Sequence, residues 1–160
     1  MKTIPIGEVS QGTLRHEDLA AALLPLTREF LPAYSVRLLE SIGLNAGKEG
    51  PEWDISRGEI INTVIDQLGD HVPEFCTFSF AEGDGASLGC WPSPELAERA
   101  IMDGDAIRIQ DLADLDHIHT LELVVGNPDI GHAVLVNDHG NMSLYALERT
   151  IKATSIWETV

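Results

Sequence analysis

Residues 75–91 read Phe75-Cys76-Thr77-Phe78-Ser79-Phe80-Ala81-Glu82-Gly83-Asp84-Gly85-Ala86-Ser87-Leu88-Gly89-Cys90-Trp91. Before this stretch, apolar residues recur at helical spacing; from Phe75 the period changes. Phe75 to Phe80 reads as a strand by its aromatic content and its Thr and Ser. Glu82-Gly83-Asp84-Gly85 supplies a turn, and Ala86 to Trp91 a returning strand. A hairpin behind a helical front makes the chain α+β: a helical N-terminal half packed on an antiparallel sheet.

Working upstream, Leu19, Leu23, Leu26 and Phe30 recur at i, i+4, i+7 and i+11, with Thr13 placed to cap that helix. Pro25 lies inside the pattern and predicts a kink or restart. A second short helix is expected over Ser35 to Ile42, stopped by Gly43, with a loop over residues 45–51. Ser56 and Glu59 have capping-box spacing, and Gly69 ends the pattern they open. Ile60, Ile61, Val64, Ile65 and Leu68 form one apolar stripe, which puts Glu59, Asp66 and Asp70 towards solvent.

Downstream, Ser93-Pro94-Glu95 is a helix start with Pro at the first helical position, and Gly104 is its stop. Ala106 to Ile109 reads as a strand. Leu121 to Val125, His132 to Val136, Met142 to Leu147 and Ser155 to Val160 read as further strands of a C-terminal β-meander. Asn127-Pro128-Asp129 and Asp138-His139-Gly140-Asn141 separate the first three. There is no internal repeat or linker, so residues 1–160 are expected to form one domain.

At 160 residues, 44% of them hydrophobic, the chain can bury a core without disulfide or metal. No apolar run approaches the roughly 18 residues that cross a bilayer. The opening MKTIPIGEVS has one Lys but no apolar core of a secretory signal, so a cytoplasmic protein is expected. Cys76 and Cys90 then stay reduced. They are placed to face each other across the hairpin, and core packing is the expected role.

The net charge of -16 is unevenly laid down. Residues 1–48 carry five carboxylates and five bases. Residues 49–129 carry 18 carboxylates against Arg57, Arg99 and Arg108, a surplus of 15. Acidity for general solubility would be spread along the chain, whereas like charges packed locally repel and cost stability. Direct nucleic-acid binding is disfavoured, because phosphate contacts need Lys and Arg. An anionic membrane is disfavoured on the same ground. The partners such a chemistry suits are basic surfaces and cations.

Among discrete candidates, Asp84 with Glu82 reads as a hairpin tip rather than a cation site, since no EF-hand spacing surrounds it. His117 and His119, followed by Glu122, have no completing metal motif and read as a surface loop. His139 beside Asp138 resembles half of a catalytic dyad, but no marked nucleophile accompanies it, and the turn reading is preferred. No cofactor or metal is expected. The remaining signal is Asp103, Asp105, Asp111, Asp114, Asp116, Glu122 and Asp129, opposed only by Arg108. Its plain reading is a solvated face. Its sharper reading is a partner-binding surface that imitates a phosphate backbone. Asn or Ser at Asp103, Asp105, Asp111, Asp114 and Asp116 is then expected to leave the fold intact.

Three patches carry a resemblance: Gly12-Thr13-Leu14-Arg15-His16-Glu17-Asp18-Leu19, Gly83 to Pro92, and Val136-Asn137-Asp138-His139-Gly140-Asn141-Met142-Ser143-Leu144-Tyr145 on to Trp157. Together they resemble short acidic accessory proteins carried by phages and plasmids. The resemblance implies a mobile-element protein acting against host defences by binding. The expectation is a non-enzymatic inhibitor whose acidic middle docks on a basic, nucleic-acid-binding surface of a host complex, with anti-CRISPR or anti-restriction action. The rival is a small hydrolase or metal-dependent enzyme using His139, Asp138 and the Glu82/Asp84 tip. A third reading is an assembly role, such as a homodimer, with the Trp and Phe residues at a subunit interface.

Overall fold

The computed structural model describes residues 2–45, 50–116, 130–137, 141–148 and 152–158. The chain is α+β and divides into two compact units, Met1–Trp91 and Pro92–Val160. In the first unit a short strand β1 (Gly7–Ser10) precedes three helices, α1 (His16–Phe30), α2 (Ala33–Leu44) and α3 (Pro51–Gly69), and then the hairpin β2 (Cys76–Ala81) and β3 (Asp84–Pro92). These strands form an antiparallel sheet in the order β1-β3-β2.

The helices differ from their sequence signals mainly at the ends. Thr13 does not cap α1 directly. Its hydroxyl accepts from the Arg15 amide at 3.2 Å and donates to Asp18 at 2.8 Å, shaping the turn that leads in. The helix runs through Pro25 to Phe30. α2 passes Gly43 and closes at Asn45. α3 begins at Pro51, five residues before the capping-box serine, because Pro at the first helical position already has the right φ and no amide to satisfy. Ile61, Val64, Ile65 and Leu68 of its stripe are buried, with Glu59, Asp66 and Asp70 exposed. They form the first unit's core with Leu19, Leu23, Leu39, Ile42 and Leu88. Two buried hydroxyls are hydrogen-bonded: that of Thr27 donates to the Leu23 carbonyl, and that of Ser35 to Gln67 Oε1.

The deepest charge in this unit is Arg57, 6% exposed at its side chain. Its Nη1 donates to Glu17 Oε1 of α1 at 2.9 Å and lies 3.9 Å from Asp54 Oδ1. Its Nη2 donates to the carbonyl of Asn45, where α2 ends, at 2.8 Å. One guanidinium thus joins all three helices.

Strand β1 has no clear sequence signal, being four residues beside Gly and Pro. It exists because β3 offers it a partner, with Gly7 opposite Cys90, Glu8 opposite Gly89 and Ser10 opposite Leu88 across a bulge. Gly89 makes the approach feasible. A Cβ there would sit 2.4 Å from the Gly7 carbonyl oxygen and 2.9 Å from the Trp91 ring. The Ser87 hydroxyl donates to Glu8 at 2.7 Å, and the Trp91 indole N–H to the Ser79 carbonyl at 2.9 Å.

In the second unit, α4 (Pro94–Asp103) starts and stops where its sequence signals lie. Ser93 Oγ accepts from the Leu96 amide, and Gly104 takes the left-handed φ of 85° that glycine tolerates. Next come β4 (Ala106–Ile109), a 3-10 turn (Leu112–Asp116), and the strands β5 (His132–Val136), β6 (Met142–Glu148) and β7 (Lys152–Glu158). β5, β6 and β7 follow one another as antiparallel neighbours, giving the meander-like end. β4, however, pairs parallel to β5, with Ala106 opposite His132, and makes the second sheet mixed. The long connection from Ile109 to His132 allows this, since parallel neighbours need a crossover of about a dozen residues or more. The strand expected over Leu121 to Val125 lies outside the described residues. Ile107, Ile109, Ile130 and Ala133 form a buried cluster, with Leu115 of the 3-10 turn, Leu135, Tyr145 and Leu147 against it.

Two substitutions check this architecture by urea unfolding. Arg57→Leu leaves Glu17 without its cation and the Asn45 carbonyl without its donor, and is expected to cost about 3 kcal/mol. Gly89→Ala forces β1 away from β3, at an expected cost of about 1–3 kcal/mol.

Candidate partner-binding surface

Carboxylates of β1, α1 and α2 are engaged. Glu29 pairs with Lys2, Asp18 with Arg15, Glu40 with Arg28 and Glu17 with Arg57. Glu8 accepts from Ser87. The exposed pairs among these contribute little stability each, whereas Glu17–Arg57 is largely buried, and Glu59, Asp66 and Asp70 of α3 stay exposed.

The stretch from Pro94 to Asp116 is arranged differently. Ala97 and Ala100 are buried, while Glu95, Glu98, Arg99, Met102 and Asp103 are exposed. Positions 95, 98, 99, 102 and 103 follow helical spacing, so they share the outward face of α4. Asp105 is exposed just past the Gly104 stop, and Asp111 is exposed after β4. Among the described residues, Glu98, Asp103, Asp105 and Asp111 take part in no ion pair. The two arginines of this stretch, Arg99 and Arg108, are likewise exposed. Glu95 accepts from the Ser93 hydroxyl at 3.1 Å.

Not every aspartate of the predicted set is a free surface charge. Asp114 Oδ2 accepts from the amides of Gln110 at 2.9 Å and Asp111 at 3.1 Å, and Asp111 Oδ1 accepts from the Ala113 amide at 2.9 Å. These bonds shape the entry to the 3-10 turn, as Asx side chains do where backbone amides lack helical partners. Asp114 thus shapes the turn as well as carrying charge: one carboxylate oxygen serves two amides at once, an acceptor that Asn retains. Asp116 ends the 3-10 turn. Glu122 and Asp129 lie outside the described residues. Glu95 and Glu98 join the set, and the signal for them was available in the helical period running from Pro94.

The remaining candidates separate cleanly. Asp84 Oδ1 accepts from the Ala86 amide at 3.1 Å, so the Glu82/Asp84 tip is a hydrogen-bonded turn with both side chains exposed. His117, His119, Asp138 and His139 lie outside the described residues. Among the described residues, no three His, Cys, Asp or Glu side chains converge to hold a metal ion. No helix among them is long and apolar enough to cross a membrane. Cys76 and Cys90 are both buried and unlinked. Their thiols meet across β2 and β3 in a hydrogen bond that raises the pKa of Cys76, with burial adding to the rise. The same bond lowers that of Cys90, against the opposing effect of burial. Both directions follow from a proton held on Cys76 and shared with the Cys90 sulfur.

Comparison with protein-family models, curated proteins and solved structures returned no match.

Asp114→Ala is expected to lower the unfolding free energy by about 1–2 kcal/mol, because two amides lose their acceptor. Asp103→Asn is expected to change it by under about 0.5 kcal/mol. Paired urea titrations of the two variants check the difference.

Proposed function

We propose that this chain is a non-enzymatic inhibitor protein of a mobile element. Its acidic surface occupies a basic, nucleic-acid-binding groove on a host defence complex, a CRISPR effector or a restriction enzyme. One observation carries the reading: Glu98, Asp103, Asp105 and Asp111 stand exposed within 14 residues, outside any ion pair among the described residues. Carboxylates held by a folded backbone present negative charge with no ordering cost at the moment of binding. Duplex DNA carries one charge per roughly 1.7 Å of axis, so a groove built for phosphates attracts such a surface. Attraction of this kind also speeds encounter, by tenfold or more at low salt.

Exposed Met102, 79% accessible amid these charges, adds an apolar contact that a phosphate backbone lacks. A protein decoy can thereby bind one groove selectively rather than every basic surface. The reading assigns the cytoplasm as the working compartment, where such complexes act.

The test is capture of host nucleic-acid-binding complexes on the immobilised protein at two salt concentrations, with duplex DNA and guide-type RNA as competitors. Retention at about 50 mM salt, displacement by nucleic acid and at least about tenfold weaker binding at 200 mM are expected. The triple variant Asp103→Asn, Asp105→Asn, Asp111→Asn should lose most of the retention while keeping its fold. Affinity indifferent to salt overturns the reading, as does a triple variant that binds unchanged.

A further inference from the structure

The proposed function leaves one group of reactive side chains unused. Cys76 opens β2, an edge strand, and Cys90 lies in β3, the central strand of the same sheet. Cys90 is 0% exposed and Cys76 5% exposed, and they are the chain's only cysteines. Their thiols are already in hydrogen-bonding contact across adjacent antiparallel strands. A disulfide needs Cβ atoms about 3.8 Å apart and Cα atoms about 5.5–6 Å apart, the scale of spacing between opposed residues on neighbouring antiparallel strands.

We propose that Cys76 and Cys90 are a two-thiol oxidation site, converted by hydrogen peroxide into a reversible intrachain disulfide that locks the β2–β3 hairpin. The Cys90 sulfur, as thiolate, attacks one peroxide oxygen and breaks the O–O bond. This leaves a sulfenic acid on Cys90 and a hydroxide ion, which takes up a proton to become water. The Cys76 sulfur then displaces the sulfenic oxygen, which departs as a second water carrying the Cys76 proton. Two thiols lose two electrons and two protons, and one peroxide is reduced to two waters. Two dithiothreitol thiols reverse the change by exchange.

The surroundings suit this chemistry. The hydrogen bond between the thiols favours thiolate at Cys90 and keeps the resolving thiol beside it. Both sulfurs lie inside the unit, so a sulfenic acid formed there meets Cys76 before it meets a thiol from solution. β2 is the edge strand of this sheet. Phe75, immediately before Cys76, holds a φ of 57°, uncommon for a bulky residue, and the Cys76 amide donates to the Pro73 carbonyl in a turn. A strand that starts from such a turn at a sheet edge is a natural place for local opening. Because β3 also carries β1, the link stiffens the strand around which this sheet is built.

The experiment treats the folded, full-length protein with a few equivalents of peroxide at neutral pH and maps the cysteine peptides. Mapping is used because exposed Met102 also takes up oxygen. The expected product is a Cys76–Cys90 crosslink, lost on dithiothreitol treatment, with the midpoint of thermal unfolding raised by about 5 °C or more. Cys76→Ala should leave Cys90 as a sulfenic acid trapped by dimedone, and Cys90→Ser should slow oxidation at Cys76 by about tenfold or more. Circular dichroism of both variants shows whether the fold persists. If either fails to fold, the wild-type crosslink and its reversal decide the matter. Unlinked cysteines after peroxide, stable sulfinic acid at either position, or links only between chains overturn the proposal. None of these outcomes bears on salt-dependent binding by the acidic surface.

Discussion

The first unit depends on one buried guanidinium. Arg57 is the only Lys or Arg between residues 49 and 98, and it faces inward to Glu17, Asp54 and the end of α2. A buried charge is tolerated only when its hydrogen bonds and counter-charge repay the loss of water, and removing one partner strands the other. Arg57 therefore fixes how α1, α2 and α3 meet. It also settles the charge of the surface. The arginine that α3 itself carries is committed to the interior rather than to the acidic residues on its surface.

That commitment divides the carboxylates into two kinds. Glu17, Asp18, Glu29 and Glu40 hold the helical front together or pair along its surface. Glu98, Asp103 and Asp105 do no such work, and their mutual repulsion is a cost to the fold. Asp114 shows that proximity in sequence is a poor guide to role, since it lies in the same acidic run and is spent on backbone amides. A decoy surface needs charge that the fold does not consume. The outward face of α4 and the residue after it meet that condition more fully than the 3-10 turn does.

The hairpin couples packing to chemistry. Gly89 lets β1 approach, Trp91 covers it, and Cys90 between them lies fully buried against Cys76. A thiol pair in such a place fills space as two small apolar side chains do. The same closeness that makes the pair good packing makes it a ready disulfide. Packing and reactivity are therefore not alternatives here.

Local signals in the chain were enough for whatever depends on neighbours within a few residues. The stripe of α3, the Ser93-Pro94 start and Gly104 stop of α4, and the β2–β3 hairpin follow from side-chain period and from φ preferences that act in place. So does the charge asymmetry, because it is a count. Contacts between distant segments settled the rest. β1 exists only through the open strand edge 80 residues away, and β4 joins β5 in parallel across a long connection that no local pattern encodes. The fates of Arg57 and Asp114 were equally invisible, since whether a charge faces water or a partner is decided by what the folded chain places beside it. Short-range propensity acts within one turn or one strand, whereas burial and pairing are properties of the packed whole.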